Sequence, residues 1–239
     1  MAEILFALLT THLTMLTVSL YMHRGLAHRG LEFHPALEHF FRFWNWLTTG
    51  MHVRQWVAIH RKHHSCPDKP GDPHSPHEFG LWQMVFGQGV GTYIAAGTDA
   101  NLIMAYGKGC PRDKIERVLY TPYYKWGVYL LLAIDLALFG WTGILVWLWQ
   151  KMWMPFFGAG VLGGLSHWWG YKNAIPRDGS HAVNITPIGI FLAGEELHNN
   201  HHSEPANPKF SRKWFEFDVA WMWFTIFKFF GLAWTRNRT

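Results

Sequence analysis

Residues 4–22 contain no Asp, Glu, Lys or Arg. A helix of that length, rising 1.5 Å per residue, reaches across a hydrocarbon core of about 30 Å. The stretch lacks a basic n-region and a small-residue cleavage site, so it reads as a span rather than a removable leader. Residues 126–149 carry one charge, Asp135, and residues 152–171 carry none. The short Gln150-Lys151 break between them predicts a hairpin of two spans. Asp135 is read as a locally paired residue, outside any site.

Residues 35–59 are apolar enough to resemble a fourth span, but Glu38, Arg42, Asn45, Thr49 and His52 recur at three- or four-residue steps. One polar stripe on an apolar helix predicts a helix lying in the interface plane. Residues 217–234, with Asp218 and Lys228 among aromatics, read the same way. Three spans then put every histidine cluster on one face. Arg24, Arg29, Arg61, Lys62, Lys172, Arg177, Arg236 and Arg238 fall on that face too, with Lys151 nearly alone opposite, which makes it the cytoplasmic one. The N terminus is expected outside. Residues 60–125 and 172–239 form a helical cytosolic cap, and with no repeat or linker the whole of 1–239 reads as a single membrane domain. The expected fold is an all-α integral membrane protein.

Charged residues make up 15% of the chain and the net charge is +5. A basic balance can signal nucleic acid, but fifteen tryptophans beside uninterrupted apolar runs favour an anionic membrane surface and exclude nucleic acid. Cys66 and Cys110 cannot staple a secreted scaffold and read as reduced cytosolic thiols.

Histidine is the outlier, at 16 of 239 residues. At that frequency a His-x-x-His-His pattern arises by chance about 0.07 times in such a chain. It occurs twice, as His60, His63, His64 and as His198, His201, His202. On a helix the i+3 and i+4 positions flank position i, so each triplet presents three rings over a narrow arc. Such an arc addresses one metal with some rings and a neighbouring metal with the rest. His23 and His28 converge only if the helix ends or loosens between them. With His167 at a span end, the set is nine. That exceeds one four-coordinate zinc site and suffices for two metals at four or five ligands each. Imidazole alone does not choose between iron, copper, zinc and nickel. Glu195, Asp68 and Asp72 are candidates to receive the second ring N–H groups, and His74 is the candidate extra histidine. His12, His34, His39, His52, His77 and His181 stand alone and read as packing residues.

The motifs HRGLAHR (23–29), HRKHH (60–64) followed by Asp68 and DPHSP (72–76), SHWWGY (166–171), NITP (184–187) and GEELHNNHH (194–202) resemble the integral-membrane fatty acyl desaturases of the acyl-CoA desaturase type. The resemblance runs from about residue 20 onward, and short bacterial members are of similar length. It implies a di-iron centre at the cytosolic membrane face, on a bacterial inner membrane. His23, His28, His60, His63, His64, His167, His198, His201 and His202 would take the ligand positions, with no catalytic residue beyond them. O2 would be the co-substrate. The fatty acyl substrate would ride on CoA, an acyl carrier protein or a phospholipid ester, and electrons would come from a ferredoxin, rubredoxin or cytochrome. Arg54, Lys108, Arg112, Lys114 and Arg117 would meet its phosphate.

Two departures stand out. Family members often carry Asn four residues before the histidine matching His167, and this chain has Gly163. It also leaves room for one span before the first motif, where animal enzymes have two. Related outcomes of the same iron chemistry are hydroxylation or formation of a terminal alkene or alkyne. The non-enzymatic rivals, a membrane metal-binding or bis-histidine haem protein, predict ligands spread along a path through the spans.

Overall fold

The charge-free first run becomes α1, Ala2–Ala27, in a computed structural model that describes residues 1–236. Its first part, Ala2–Thr17, is α-helical, and Val18–Ala27 is wound as a π-helix. The wider turn follows the i→i+5 pattern, in which the His28 N–H donates to the His23 carbonyl at 3.0 Å. The five-residue spacing that an α-helix would splay is thereby brought onto one face.

The hairpin forms elsewhere than at Gln150-Lys151. α6, Gly127–Phe139, ends at Gly140, whose φ of 60° and ψ of −142° suit glycine. After the turn Gly140–Thr142, α7 (residues 143–165) returns through Gly143–Trp153, the π-helical Met154–Leu162 and Gly163–Leu165. The fold-back is direct: Trp147 Nε1 donates to the Val128 carbonyl at 2.7 Å. Gln150 is buried inside α7, where Nε2 donates to Thr10 Oγ1 of α1 at 3.0 Å. Lys151 stays in the helix, its ammonium 4.7 Å from the Trp147 ring. The polar dipeptide thus marks a helix–helix contact, not a loop. Two stretches, Ala2–Ala27 and Gly127–Leu165, are long and apolar enough to cross a membrane. The Phe6 and Phe139 rings meet at 5.2 Å, so the start of α1 and the α6–α7 turn share one end, and the histidines gather at the other.

Residues 35–59 are two helices rather than one. α2, Pro35–Thr49, opens on a His34 cap with Pro35 in its first turn, and closes at Gly50 with φ 62°. α3, Val53–Ser65, starts on a His52 cap and carries the HRKHH motif. The stripe expected to face the interface turns inward in part. Arg42 is buried and forks onto Asp113 at 2.6 Å and Glu116 at 3.1 Å, while Asn45 accepts from Thr17 at 2.7 Å. Nor is 217–234 one helix: α9 covers only Val219–Phe229, and Asp218 is its N-cap.

Within the expected cap, residues 81–96 form a helix, α4, built of Leu81–Gln83, a π segment Met84–Gln88 and Gly89–Ala96. α5, Ala100–Tyr106, follows, and α8 is His198–Ser203. The all-α expectation holds for most of the chain and misses two small strand pairs. β1 (Leu31–Phe33) runs antiparallel to β4 (Ala233–Thr235), and β2 (Ile188–Gly189) runs parallel to β3 (Phe217–Asp218). The pair β1–β4 ties the exit of α1 to the end of the described chain. Arg24, counted from the sequence among the cations of the histidine face, is buried and forks onto Asp218 at 2.8 and 3.0 Å. Arg238 lies outside the described residues.

Candidate metal centre

Nine imidazoles converge where α1, α3, α8 and the chain beyond α7 meet, and they fall into two groups. His23, His28, His60, His64 and His201 form the first; His63, His167, His198 and His202 form the second. Within each group, one ring nitrogen per residue lies within 4.8 Å of all the others, close enough to share a metal ion. α3 sends His60 and His64 to the first group and His63 to the second. α8 sends His201 to the first and His198 and His202 to the second.

The contacts run nitrogen to nitrogen. In the first group His28 and His60 Nε2 are 2.8 Å apart, His201 and His64 Nε2 2.9 Å, and His23 and His201 Nε2 3.1 Å. In the second, His198 Nε2 lies 3.1 Å from both His167 and His202 Nε2. Two imidazole nitrogens at such distances share either a ring N–H proton or a metal ion.

Carboxylates fix which nitrogen is free. His23 Nδ1 donates to Glu195 at 2.7 Å, His63 Nδ1 to Asp72 at 2.9 Å, His167 Nδ1 to Asp68 at 2.8 Å and His202 Nδ1 to Asp178 at 2.8 Å. With the proton held on Nδ1, the Nε2 lone pair is turned inward, the arrangement that orients metal-bound histidine. Burial, then the neighbouring imidazoles, pushes His60, His64, His198, His201 and His202 well below the usual histidine range. Burial alone would raise Asp68 and Asp72, but hydrogen bonds from His167 and His63 hold them low. Neutral rings beside ionised carboxylates are the states a divalent ion requires.

His74 joins neither group. Its backbone N–H supports Asp72 at 2.9 Å, while its buried ring turns toward Gly163 and Thr92. A Cβ built at residue 163 would overlap that ring, so the glycine makes room for His74. Burial, then nearby His63, brings the His74 ring down to about 3. Of the solitary histidines, His34 and His52 cap helices and His77 bonds the His167 carbonyl at 3.1 Å.

Sequence reading missed Asp178, because a carboxylate in a polar Gly-containing loop, 24 residues from its histidine, carries no spacing signal. It also missed Glu216. That buried carboxylate accepts from Tyr171 at 2.7 Å and from Asn200 at 2.9 Å, and so braces the underside of α8. The NITP motif belongs to this brace, since Asn184 Oδ1 accepts the Asn200 N–H at 3.2 Å.

A cavity of about 500 Å³ passes both groups, touching His23 and His60 of one and His63, His167 and His198 of the other. Met15, Val18, Met154 and Leu162 give it apolar walls, while His52, Gln55, Thr98 and Lys125 supply polar ones. Its size suits one small apolar ligand.

The chain is similar to known proteins over most of its length. A family model described as fatty acid desaturase matches residues 2–221. Delta-9 desaturase-like 3 protein of Arabidopsis thaliana is 30% identical, covering 95% of this chain and 74% of its own. Delta-9 acyl-lipid desaturase 1 of the same plant is 27% identical over 91% of this chain and 70% of its own. Acyl-CoA C20 Delta5-desaturase of Anemone leveillei is 29% identical over 90% and 67%. With two imidazole groups beside an apolar cavity, and desaturases as relatives over nearly its full length, the chain belongs to the fatty acid desaturase family and is an oxidoreductase acting on fatty acyl chains.

Proposed function

We propose that the two histidine groups each hold an iron ion, with all nine rings as ligands, and that the enzyme inserts a double bond into an acyl chain lying in the cavity. The observation that carries this reading is the split of the nine rings into groups of five and four. The donor set fits: imidazole suits iron, and zinc, which imidazole also binds, has no redox chemistry to offer a desaturation. When bound, the iron pair supplies O2-dependent oxidation, in which an acyl CH2–CH2 unit, O2, two electrons and two protons become CH=CH and two waters.

The protein's own residues do the rest. Glu195, Asp72, Asp68 and Asp178 keep each partner ring in the tautomer whose Nε2 faces inward. Burial keeps bulk water from the reacting carbons. The apolar walls fix which pair of methylenes lies beside the rings, and that register sets the bond position. His52, Gln55 and Lys125, with the more remote Arg54, Lys108, Arg112, Lys114 and Arg117, receive the head group.

The electrons come from an external one-electron carrier such as a ferredoxin, rubredoxin or cytochrome. In this proposal the chain crosses a bacterial inner membrane three times, counting α6 with the residues before it, and the basic bias of the histidine end supports a cytoplasmic site.

Expression in a host without desaturase activity tests the reading. Fatty acids carrying new double bonds, with iron in the purified protein, are expected. Hydroxylated or terminally unsaturated products would assign the chain to a sibling reaction, and an unchanged profile with iron, O2 and reductant supplied would overturn it.

A further inference from the structure

The helix α4 is out of character for an aqueous cap. Its sequence, LWQMVFGQGVGTYIAA, holds no charged residue. Trp82, Phe86 and Ile94 are 69%, 68% and 66% exposed, an apolar face that water would not leave bare. This face continues the outer surface of α7: the Phe86 ring lies 6.0 Å from that of Phe156, within the membrane-length run Gly127–Leu165. A lipid leaflet that covers Phe156 therefore covers Phe86.

The other side of α4 is a cavity wall. Val90 and Tyr93 line the 500 Å³ space, and Met154, Pro155, Gly158 and Ala159 of α7 line it opposite. One helix thickness separates the cavity from the exposed face. Along the seam the two backbones touch: a Cβ on Gly160 would stand 2.6 Å from the Val85 carbonyl, and one on Gly89 would stand 3.2 Å from that of Ala159. Both walls are π-wound there, at Met84–Gln88 and Met154–Leu162, a winding frequent at functional sites.

We infer that α4 is immersed in the lipid leaflet on the histidine side, and that its seam with Met154–Leu162 is a lateral doorway by which the acyl chain of a membrane lipid enters the cavity. This deepens the proposed function and rests on it for the identity of the substrate; the immersion stands apart from it.

Two arms test it in phosphatidylcholine–phosphatidylglycerol vesicles. First, a fluorophore is placed at Trp82→Cys or Phe86→Cys in the Cys66→Ser/Cys110→Ser protein, with Glu78→Cys as the aqueous control. Probes at 82 and 86 are expected to be quenched at least threefold more by lipid-borne nitroxide than by an aqueous nitroxide, and the probe at 78 the reverse. Aqueous quenching at 82 and 86 would overturn the inference whatever the enzyme does.

Second, Phe86→Cys and Phe156→Cys are bridged by a short, reducible bifunctional thiol reagent. Bridging is expected to slow desaturation of vesicle phospholipid at least tenfold, with recovery on reduction and unchanged metal content. An undiminished rate in the bridged protein would overturn the doorway, as would desaturation of soluble acyl-CoA with none of phospholipid in the unbridged protein. Inactivity of the unbridged protein on both would sink the doorway together with the proposed function, and leave the immersion to the quenching arm.

Discussion

Asp178 accepts the Nδ1 hydrogen of His202 at 2.8 Å, and its side chain is 16% exposed where those of Glu195, Asp68 and Asp72 are 5%, 1% and 0% exposed. It is the most solvent-accessible of the four carboxylates that orient the imidazoles. Asp178→Asn keeps the shape and removes the charge that favours His202 as a metal ligand. Loss of such an outer partner typically weakens metal binding about 10–100-fold. Metal titration of the purified variant should show one of two ions held more weakly, and equal retention of both would refute the role.

His64 contributes one ring to the first group and lies 2.9 Å from His201. His64→Ala should abolish double-bond formation and lower the metal content, while expression and membrane insertion persist. Gas chromatography of host fatty acids, with metal analysis of the purified protein, reads both. Activity retained at half the normal level would remove His64 from the centre.

Gly163 and His74 share one space. Gly163→Ala forces the ring aside and should destabilise the protein by about 1–3 kcal/mol, as overpacking does. His74→Ala should relieve that strain, so the double variant should be less destabilised than the sum of the singles. Thermal unfolding of the four proteins gives the coupling, and simple additivity would exclude it.

For the metal-free protein, five imidazoles titrate well below the histidine value of 6.5. Below about pH 6.5 the unfolded chain binds protons that the folded chain refuses, so stability falls with falling pH; above it the shift contributes nothing. Because the folded rings stay neutral through that window, metal affinity for the folded protein should change little across it and fall only at lower pH. Melting of chelator-treated and metal-loaded protein between about pH 5 and pH 8 checks this, and a flat profile for the chelated form would contradict it.

Much of this geometry was written in the spacing of residues. Triplets at i, i+3 and i+4 put rings on one helical arc, and five-residue spacing at His23 and His28 demanded a loosened helix. What stayed hidden depended on partners distant in sequence. Gln150 and Lys151 look like a turn, and the hydroxyl of Thr10 on another helix explains a buried glutamine there. Arg42 reads as an interfacial charge until Asp113 and Glu116 are seen to neutralise it. Asp178 is an ordinary loop aspartate until the fold carries it to His202. The apolar character of α4 was diluted by its own glycines and by polar flanks.

Because α3 and α8 each lend rings to both groups, the distance between two ions held there would be measured out by helical rise rather than by how two halves dock. A one-residue insertion between His60 and His64, or between His198 and His202, rotates later rings by about 100° and reassigns them. The two groups therefore form a single gauge block: loosening one seat would alter its neighbour, and with the proposed iron pair bound, magnetic coupling between the metals should report damage to either helix.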